Sequence, residues 1–148
     1  MRMGLAVRQL GIRQVSGRFL VSDNTFLRVS EVNADQPLDA PYNAGVGPLS
    51  LAFGRVTLRS QNNGSFFTNP ELIERGPAWR IATDANHKRA LDIPVRDVGM
   101  HAALSLRRIA GELGINLPMP ERGALPSQLQ KIAAIQSKSV VELSLIHI

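Results

Sequence analysis

Serine, lysine and histidine are the side chains here that could carry chemistry, and their spacing decides against most of it. The 148 residues include no cysteine, which excludes disulfides, thiolate metal sites and a cysteine nucleophile together. A serine hydroxyl is activated by a lysine amine one helical turn further on, and the Ser-x-x-Lys pattern that places them works with a Ser-x-Asn element and a Lys-Thr-Gly strand. The chain has neither Ser-x-x-Lys nor Lys-Thr-Gly. Ser22-Asp23-Asn24 matches the middle element letter for letter, yet it closes a strand-like run with no nucleophile before it, so it reads as a structural turn. Ser127 and Lys131 are spaced one residue too far, and Pro126 with the strand-like 129–135 marks both as surface residues. His87, His101 and His147 share no ligand spacing and no carboxylate constellation accompanies them, so they read as solvated histidines. Trp79 and Tyr42 read as anchors of core or loop. No residue is assigned a catalytic, cofactor-binding or metal-binding role.

The elements that would position these residues follow from pattern. Leu5 to Leu10 has helical character and stops at Gly11, where a left-handed cap favours glycine, with Ile12 as the apolar contact beyond. Arg18 to Ser22 reads as a strand, and Asp23-Asn24-Thr25 supplies turn chemistry before Phe26. Residues 31–47 read as a long irregular connection, with Tyr42 pinning it to the core. Pro48 to Ser60 reads as the clearest strand: Leu49, Leu51 and Phe53 alternate on one face, Val56 and Leu58 continue in the other register, and a bulge at Gly54 joins the two. Asn62-Asn63-Gly64 ends it as a turn, and a short strand-like piece spans Ala78 to Ala82. The strongest helix runs from Val98 to Leu113, N-capped by Asp97. Ala102, Leu106, Ile109, Ala110 and Leu113 share its apolar face, with Arg107, Arg108 and Glu112 opposite. Its end at Gly114-Ile115 repeats the Leu10-Gly11-Ile12 arrangement. A strand over 129–136 and a helix opening at 139–143 complete the chain.

Composition fits one domain with a buried core: 44% of residues are hydrophobic. The formal net charge of +5 permits an acidic partner, but basic residues run from Arg2 to Lys138 with acids interleaved, which is not the clustered footprint of a nucleic-acid binder. Arg2, Arg8 and Gln9 interrupt the first ten residues, so they form no signal peptide, and no stretch reaches membrane-spanning length.

Four stretches, in order, resemble the low-molecular-mass penicillin-binding proteins that act as D-alanyl-D-alanine carboxypeptidases and endopeptidases and carry a large insertion between active-site motifs. Leu10-Gly-Ile-Arg-Gln-Val-Ser-Gly17 with Phe19-Leu-Val-Ser-Asp-Asn-Thr-Phe26 resembles the family's helix, Gly-Ile, strand and Asp-x-x-Phe passage. Pro41-Tyr-Asn-Ala44, then Pro48-Leu-Ser-Leu-Ala-Phe53 and Val56-Thr57, resembles its Tyr-Asn-Ala segment and following strand. Ile93-Pro-Val-Arg-Asp97 with the helix to Leu113 and Gly114-Ile115 resembles the return helix, and Ser137-Lys-Ser-Val-Val-Glu-Leu143 the segment leading back to the catalytic domain. The chain departs from the pattern at Gly54, where asparagine is usual, and at Val98, where proline is common.

The resemblance implies an α+β fold of mixed strands and helices, an incomplete piece of a penicillin-binding, β-lactamase-like serine enzyme. Residues 1–143 would be its inserted accessory region, with 61–96 as a poorly defined inner segment and 144–148 as a non-native tail. It further implies a periplasmic hydrolase that acts on peptidoglycan stem peptides through a serine acyl-enzyme trapped by β-lactams, with a signal peptide and nucleophile upstream of this chain. The chain alone is expected to be inactive and to need no cofactor. The alternative is a self-contained basic module that binds an anionic polymer or cell-wall surface.

Overall fold

The computed structural model describes residues 8–22, 27–69, 71–72, 75–84, 90–124 and 127. Among them the strands are β1 (Phe19–Val21), β2 (Arg55–Ser60), β3 (Phe66–Asn69), β4 (Leu91–Pro94) and β5 (Pro120–Arg122), and the α-helices are α1 (Pro77–Asp84) and α2 (Val98–Glu112). The fold is mixed α+β, with a parallel pair β1–β5 and an antiparallel sheet in the order β3-β2-β4.

The antiparallel sheet forms where alternation is genuine. Val56 and Leu58 point to one face and are each 1% exposed, and β4 brings Ile93 opposite Val56 with no exposure at all. Ala78 and Ala82, one turn apart on α1, let that helix approach the same face, and Val95, Val98, Phe66, Leu72, Trp79 and Leu91 complete the cluster. Burying side chains such as Leu58 and Ile93 contributes roughly 1.5–3 kcal/mol each. On the sheet's other face, Thr57 donates from Oγ1 to Asp92 Oδ1 across the β2–β4 pair at 2.7 Å. The expected turn at Asn62-Asn63-Gly64 joins β2 to β3, with Gly64 at φ +80° and Gln61 N–H donating to Ser65 O at 2.7 Å.

Three expectations are corrected here. Ala78 to Ala82 is helical, not extended: Gly76 followed by Pro77 starts α1, and proline suits the first helical position because its missing N–H would have no partner there. The strand expected from Pro48 starts only at Arg55. Leu49, Leu51 and Phe53 are exposed, and in place of a bulge a tight left-handed turn spans Ala52–Gly54, with φ of 49°, 56° and 69° in sequence. Gly54 explains the turn, since a Cβ there would stand 3.0 Å from Val98 Cγ1 while its carbonyl accepts from Val95 N–H at 2.7 Å. Tyr42 is 63% exposed and its hydroxyl donates to Gln36 Oε1, so the residue that pins the long connection is its neighbour Asn43, 1% exposed.

Helix α2 begins where expected. Asp97 accepts the Met100 N–H at 3.0 Å as its N-cap. It ends in a Schellman arrangement: Ile115 N–H donates to Ala110 O at 2.8 Å and Gly114 N–H to Gly111 O at 2.9 Å, with Gly114 at φ +74°. The apolar stripe is wider than its pattern. Ala102 and Ala110 are buried and Leu106, Ile109 and Leu113 half-buried, while Val98, Gly99, His101, Ala103, Leu104 and Ser105 are buried as well.

The two Leu-Gly-Ile caps are set side by side. Gly11 also has positive φ, at 76°, and the chain leaving it runs parallel to the chain leaving Gly114. Asn116 N–H donates to Arg13 O at 2.8 Å and Val15 N–H to Asn116 O at 3.0 Å, and β1 then pairs with β5 from Phe19 opposite Pro120. Helix α2 packs against both strands. The expected strand over 129–136, the helix at 139–143 and the turn at 23–25 lie outside the described residues.

Candidate functional site

Two features stand out: a knot of polar side chains where the 31–47 connection meets the start of α2, and a small cavity lined in part by Arg96 and Asp97 of the same junction. The knot is closed by Val29 and Val46, which exchange both backbone hydrogen bonds, at 3.0 and 2.9 Å. Inside it, Asn43 Oδ1 accepts from Val32 N–H at 3.0 Å and Asn33 N–H at 2.9 Å, while Nδ2 donates to Asn33 O at 2.8 Å. An asparagine is suited to this place because one planar amide satisfies donors and acceptor together.

Arg96 straps the connection to the sheet. Its Nη1 donates to Asn43 O at 2.7 Å, its Nη2 to Leu38 O at 2.8 Å, and Glu31 lies 3.1 Å away. Gly45 N–H donates to Val95 O at 2.8 Å, and the approach is so close that a Cβ on Gly45 would fall 2.1 Å from Arg96 O. Beside it, Arg122 on β5 grips Asp97 with both nitrogens, Nη2 to Oδ1 at 2.6 Å and Nη1 to Oδ2 at 2.7 Å. That fork holds the Asp97 carboxyl below the usual carboxylate range; burial opposes the shift, and the Met100 N–H and the charges of Arg122 and Arg28 add to it.

The cavity, of about 150 Å³, lies between α1, the β4–α2 connection and α2. Leu72, Pro77, Ala78, Trp79, Leu104 and His101 line it. Arg75 covers the Trp79 ring from outside, its guanidinium carbon 4.5 Å from the centroid. His101 is 5% exposed, which corrects its reading as a solvated histidine, and burial pushes its imidazole pKa below the ordinary value. Its Nε2 and the Ser105 Oγ one turn further on are closed off from solvent and have no hydrogen-bond partner among the described residues.

Ser22 directly follows β1, whereas Asp23 and Asn24 lie outside the described residues, as do His87, His147 and Lys131. Ser127 is exposed. Among the described residues no group of three or more His, Asp or Glu side chains is placed to hold a metal ion, and no helix is long and apolar enough to cross a membrane. Of the described residues singled out in the sequence, Trp79, His101 and the N-cap Asp97 line one cavity.

No family model, curated protein or solved structure matches the chain. The site must be read from its own geometry. Asn43, Arg96 and Arg122 carry the knot, and none of the three was a candidate in the sequence. The signal available for His101 was the stretch from Val98 to Leu106, which contains no charged residue and so belongs to a helix enclosed on most sides.

Proposed function

We propose that this chain is the non-catalytic accessory region of a serine-type D-Ala-D-Ala carboxypeptidase or endopeptidase of the penicillin-binding type, an extracytoplasmic hydrolase of peptidoglycan stem peptides. The reading rests on the order of four matching sequence stretches. It gains support from the way three of the matched stretches pack against one another, the fourth, 137–143, lying outside the described residues. Tyr42-Asn43-Ala44 is tied to Ile93-Pro-Val-Arg-Asp97 through Arg96 and Gly45, and the chain after Leu10-Gly11-Ile12 is paired to the chain after Gly114-Ile115.

In this reading the parent enzyme supplies the serine, its activating lysine and the Lys-Thr-Gly strand. The chain itself shapes the approach to the cleft or contacts the cell wall, for which its net charge of +5 is favourable. The test is to translate the DNA on both sides of this reading frame, express the whole product and treat it with a fluorescent penicillin. Ser-x-x-Lys upstream, Ser-x-Asn and Lys-Thr-Gly downstream, and covalent labelling of the serine are the expected results. Flanks without those motifs, or no labelling of a folded product that has them, would overturn the reading. A motif-free product that still pelleted with purified cell wall would point instead to a self-contained basic binding module.

A further inference from the structure

The two edges of the antiparallel sheet are finished differently. Gln61 N–H donates to Ser65 O at 2.7 Å, and from that pair the antiparallel ladder alternates along β3. The backbone groups of Phe67 and Asn69 therefore face β2, and those of Phe66 and Thr68 face outward. The outer edge of β4 is blunted: Pro94 offers no donor, and just beyond it Val95 donates to Gly54 O and accepts from Gly45 N–H. The β3 edge, Phe66-Phe-Thr-Asn69, holds neither a proline nor a charged residue. Among the described residues, the outward N–H and C=O groups of Phe66 and Thr68 meet no partner. Such an edge is a template for another strand.

Beside that edge runs an open groove of about 370 Å³. The four residues of β3 line it together with Leu72, Arg75 and Trp79. Arg108, also in the wall, lies 3.5 Å from both Glu71 and Glu112, so its charge is already answered. Two other cations are not. Arg75 stands over the Trp79 ring, 4.5 Å from its centroid, and Arg59 is exposed on β2 opposite Phe67. Among the described residues neither has a carboxylate partner. A guanidinium stacked on an aromatic ring keeps its N–H fork available for a carboxylate.

We propose that the β3 edge and this groove bind an extended peptide segment that carries carboxylate side chains. Its backbone pairs with the outward groups of Phe66 and Thr68 and adds a fourth strand to the sheet, which supplies affinity. A side chain set opposite Thr68 projects to the same face as Thr68, over the groove, where Arg75 takes its carboxylate. A second copy of the chain lacks that complement, since a β3 laid against β3 brings Phe66-Phe-Thr-Asn69 and no carboxylate to meet the two cations. The inference uses only β2, β3 and the groove beside them, so it stands apart from the carboxypeptidase reading.

The probe is the blocked peptide acetyl-Val-Glu-Val-Glu-Val-amide, titrated into the ¹⁵N-labelled whole chain. Saturable shifts and slowed solvent exchange of the Phe66 and Thr68 amides are expected below about 5 mM, and the indole N–H of Trp79, the only tryptophan, should shift with them. Lysine in place of glutamate should weaken binding roughly fivefold. A peptide N-methylated at every internal amide should not bind, because it cannot donate to the edge. In Arg75→Glu, an exposed position, the order of the glutamate and lysine peptides should reverse. Equal binding of the two peptides, undiminished binding of the N-methylated one, or no saturable shift on the folded chain would overturn the proposal. Concentration-dependent shifts of the same amides without peptide, with a dimer in sedimentation velocity, would overturn it as well and make a second copy the occupant. Should Arg75→Glu fail to fold, the three peptides on the unaltered chain decide alone.

Discussion

Asp97 and Arg122 join two parts of the fold through a single carboxylate. Oδ1 accepts both from Arg122 Nη2 at 2.6 Å and from the Met100 N–H that opens α2, and Oδ2 accepts from Nη1 at 2.7 Å. The same aspartate therefore caps the helix and fastens β5, which carries the parallel pair. Both side chains are about one-third exposed, so water screens the ion pair and the cap accounts for much of its effect.

Asp97→Ala is expected to destabilise the chain by about 1–2 kcal/mol, the range of an N-cap loss, and Asp97→Asn by less because its oxygen can still accept from Met100. The pH dependence follows from the depressed carboxyl. Its stabilising contribution is fully present above the unfolded value near 4 and is lost as pH falls from there through the lower folded value. Urea midpoints of the unaltered chain and Asp97→Asn should differ by a constant amount from pH 7 to 5 and converge in stronger acid.

His101 is expected to act in a different window. Its folded pKa lies below the usual 6.5, so the unfolded chain takes up the proton first, and stability falls as pH drops below about 6.5 towards the folded value. One such group gives a slope of at most about 1.4 kcal/mol per pH unit. Urea titrations between pH 7.5 and 5 should show that slope in the unaltered chain and its loss in His101→Leu.

Asn43→Asp should be worse than its small change in shape suggests. The new carboxylate keeps the two N–H donors from Val32 and Asn33 but turns a negative oxygen towards Asn33 O, where Nδ2 now donates at 2.8 Å. A loss of about 2–4 kcal/mol near neutral pH is expected, eased in acid as the carboxyl protonates and becomes a donor. A thermal melt at two pH values would read both effects.

Legibility in the sequence followed how local each signal was. The cap at Asp97, the glycine stops at Gly11 and Gly114 and the Asn62-Asn63-Gly64 turn are set by backbone chemistry within a few residues, and each stands where pattern placed it. The alternation of Leu49, Leu51 and Phe53 has the period of a strand, yet the contact of Gly54 with Val98 and Val95 turns the chain before they can be buried. Trp79 and Ile81 favour strands, and the shorter signal of Gly76-Pro77 prevails because Ala78 and Ala82 fit a helix closely against the sheet. Asn43, Arg96 and Arg122 were illegible for a plainer reason: their partners lie far along the chain.

Gly45 tests close approach without backbone strain. A Cβ there would meet Arg96 O at 2.1 Å, a backbone atom that cannot swing aside. Gly45→Ala should destabilise by on the order of 3 kcal/mol through forced separation of the connection from Val95 and Arg96. Gly64→Ala meets no atom and carries only the left-handed penalty of φ +80°, about 1–2 kcal/mol. Denaturant midpoints should therefore rank Gly45→Ala as the more damaging, the reverse of a ranking by φ alone.

Phe53 offers a gain in stability. It holds φ at 56° between Ala52 and Gly54, both also left-handed, and its side chain is 70% exposed. A non-glycine residue in this region costs about 1–2 kcal/mol, and asparagine tolerates it better than phenylalanine because its side chain can hydrogen-bond locally. Replacing Phe53 removes little buried area, so the relief of strain is not offset by lost packing. Phe53→Asn is expected to stabilise the chain by about 0.5–1 kcal/mol, read as a raised urea midpoint with an unchanged slope. A lowered midpoint would mean that the exposed ring is held by contacts worth more than the strain, and the turn would then be fixed by Phe53 as well as by Gly54.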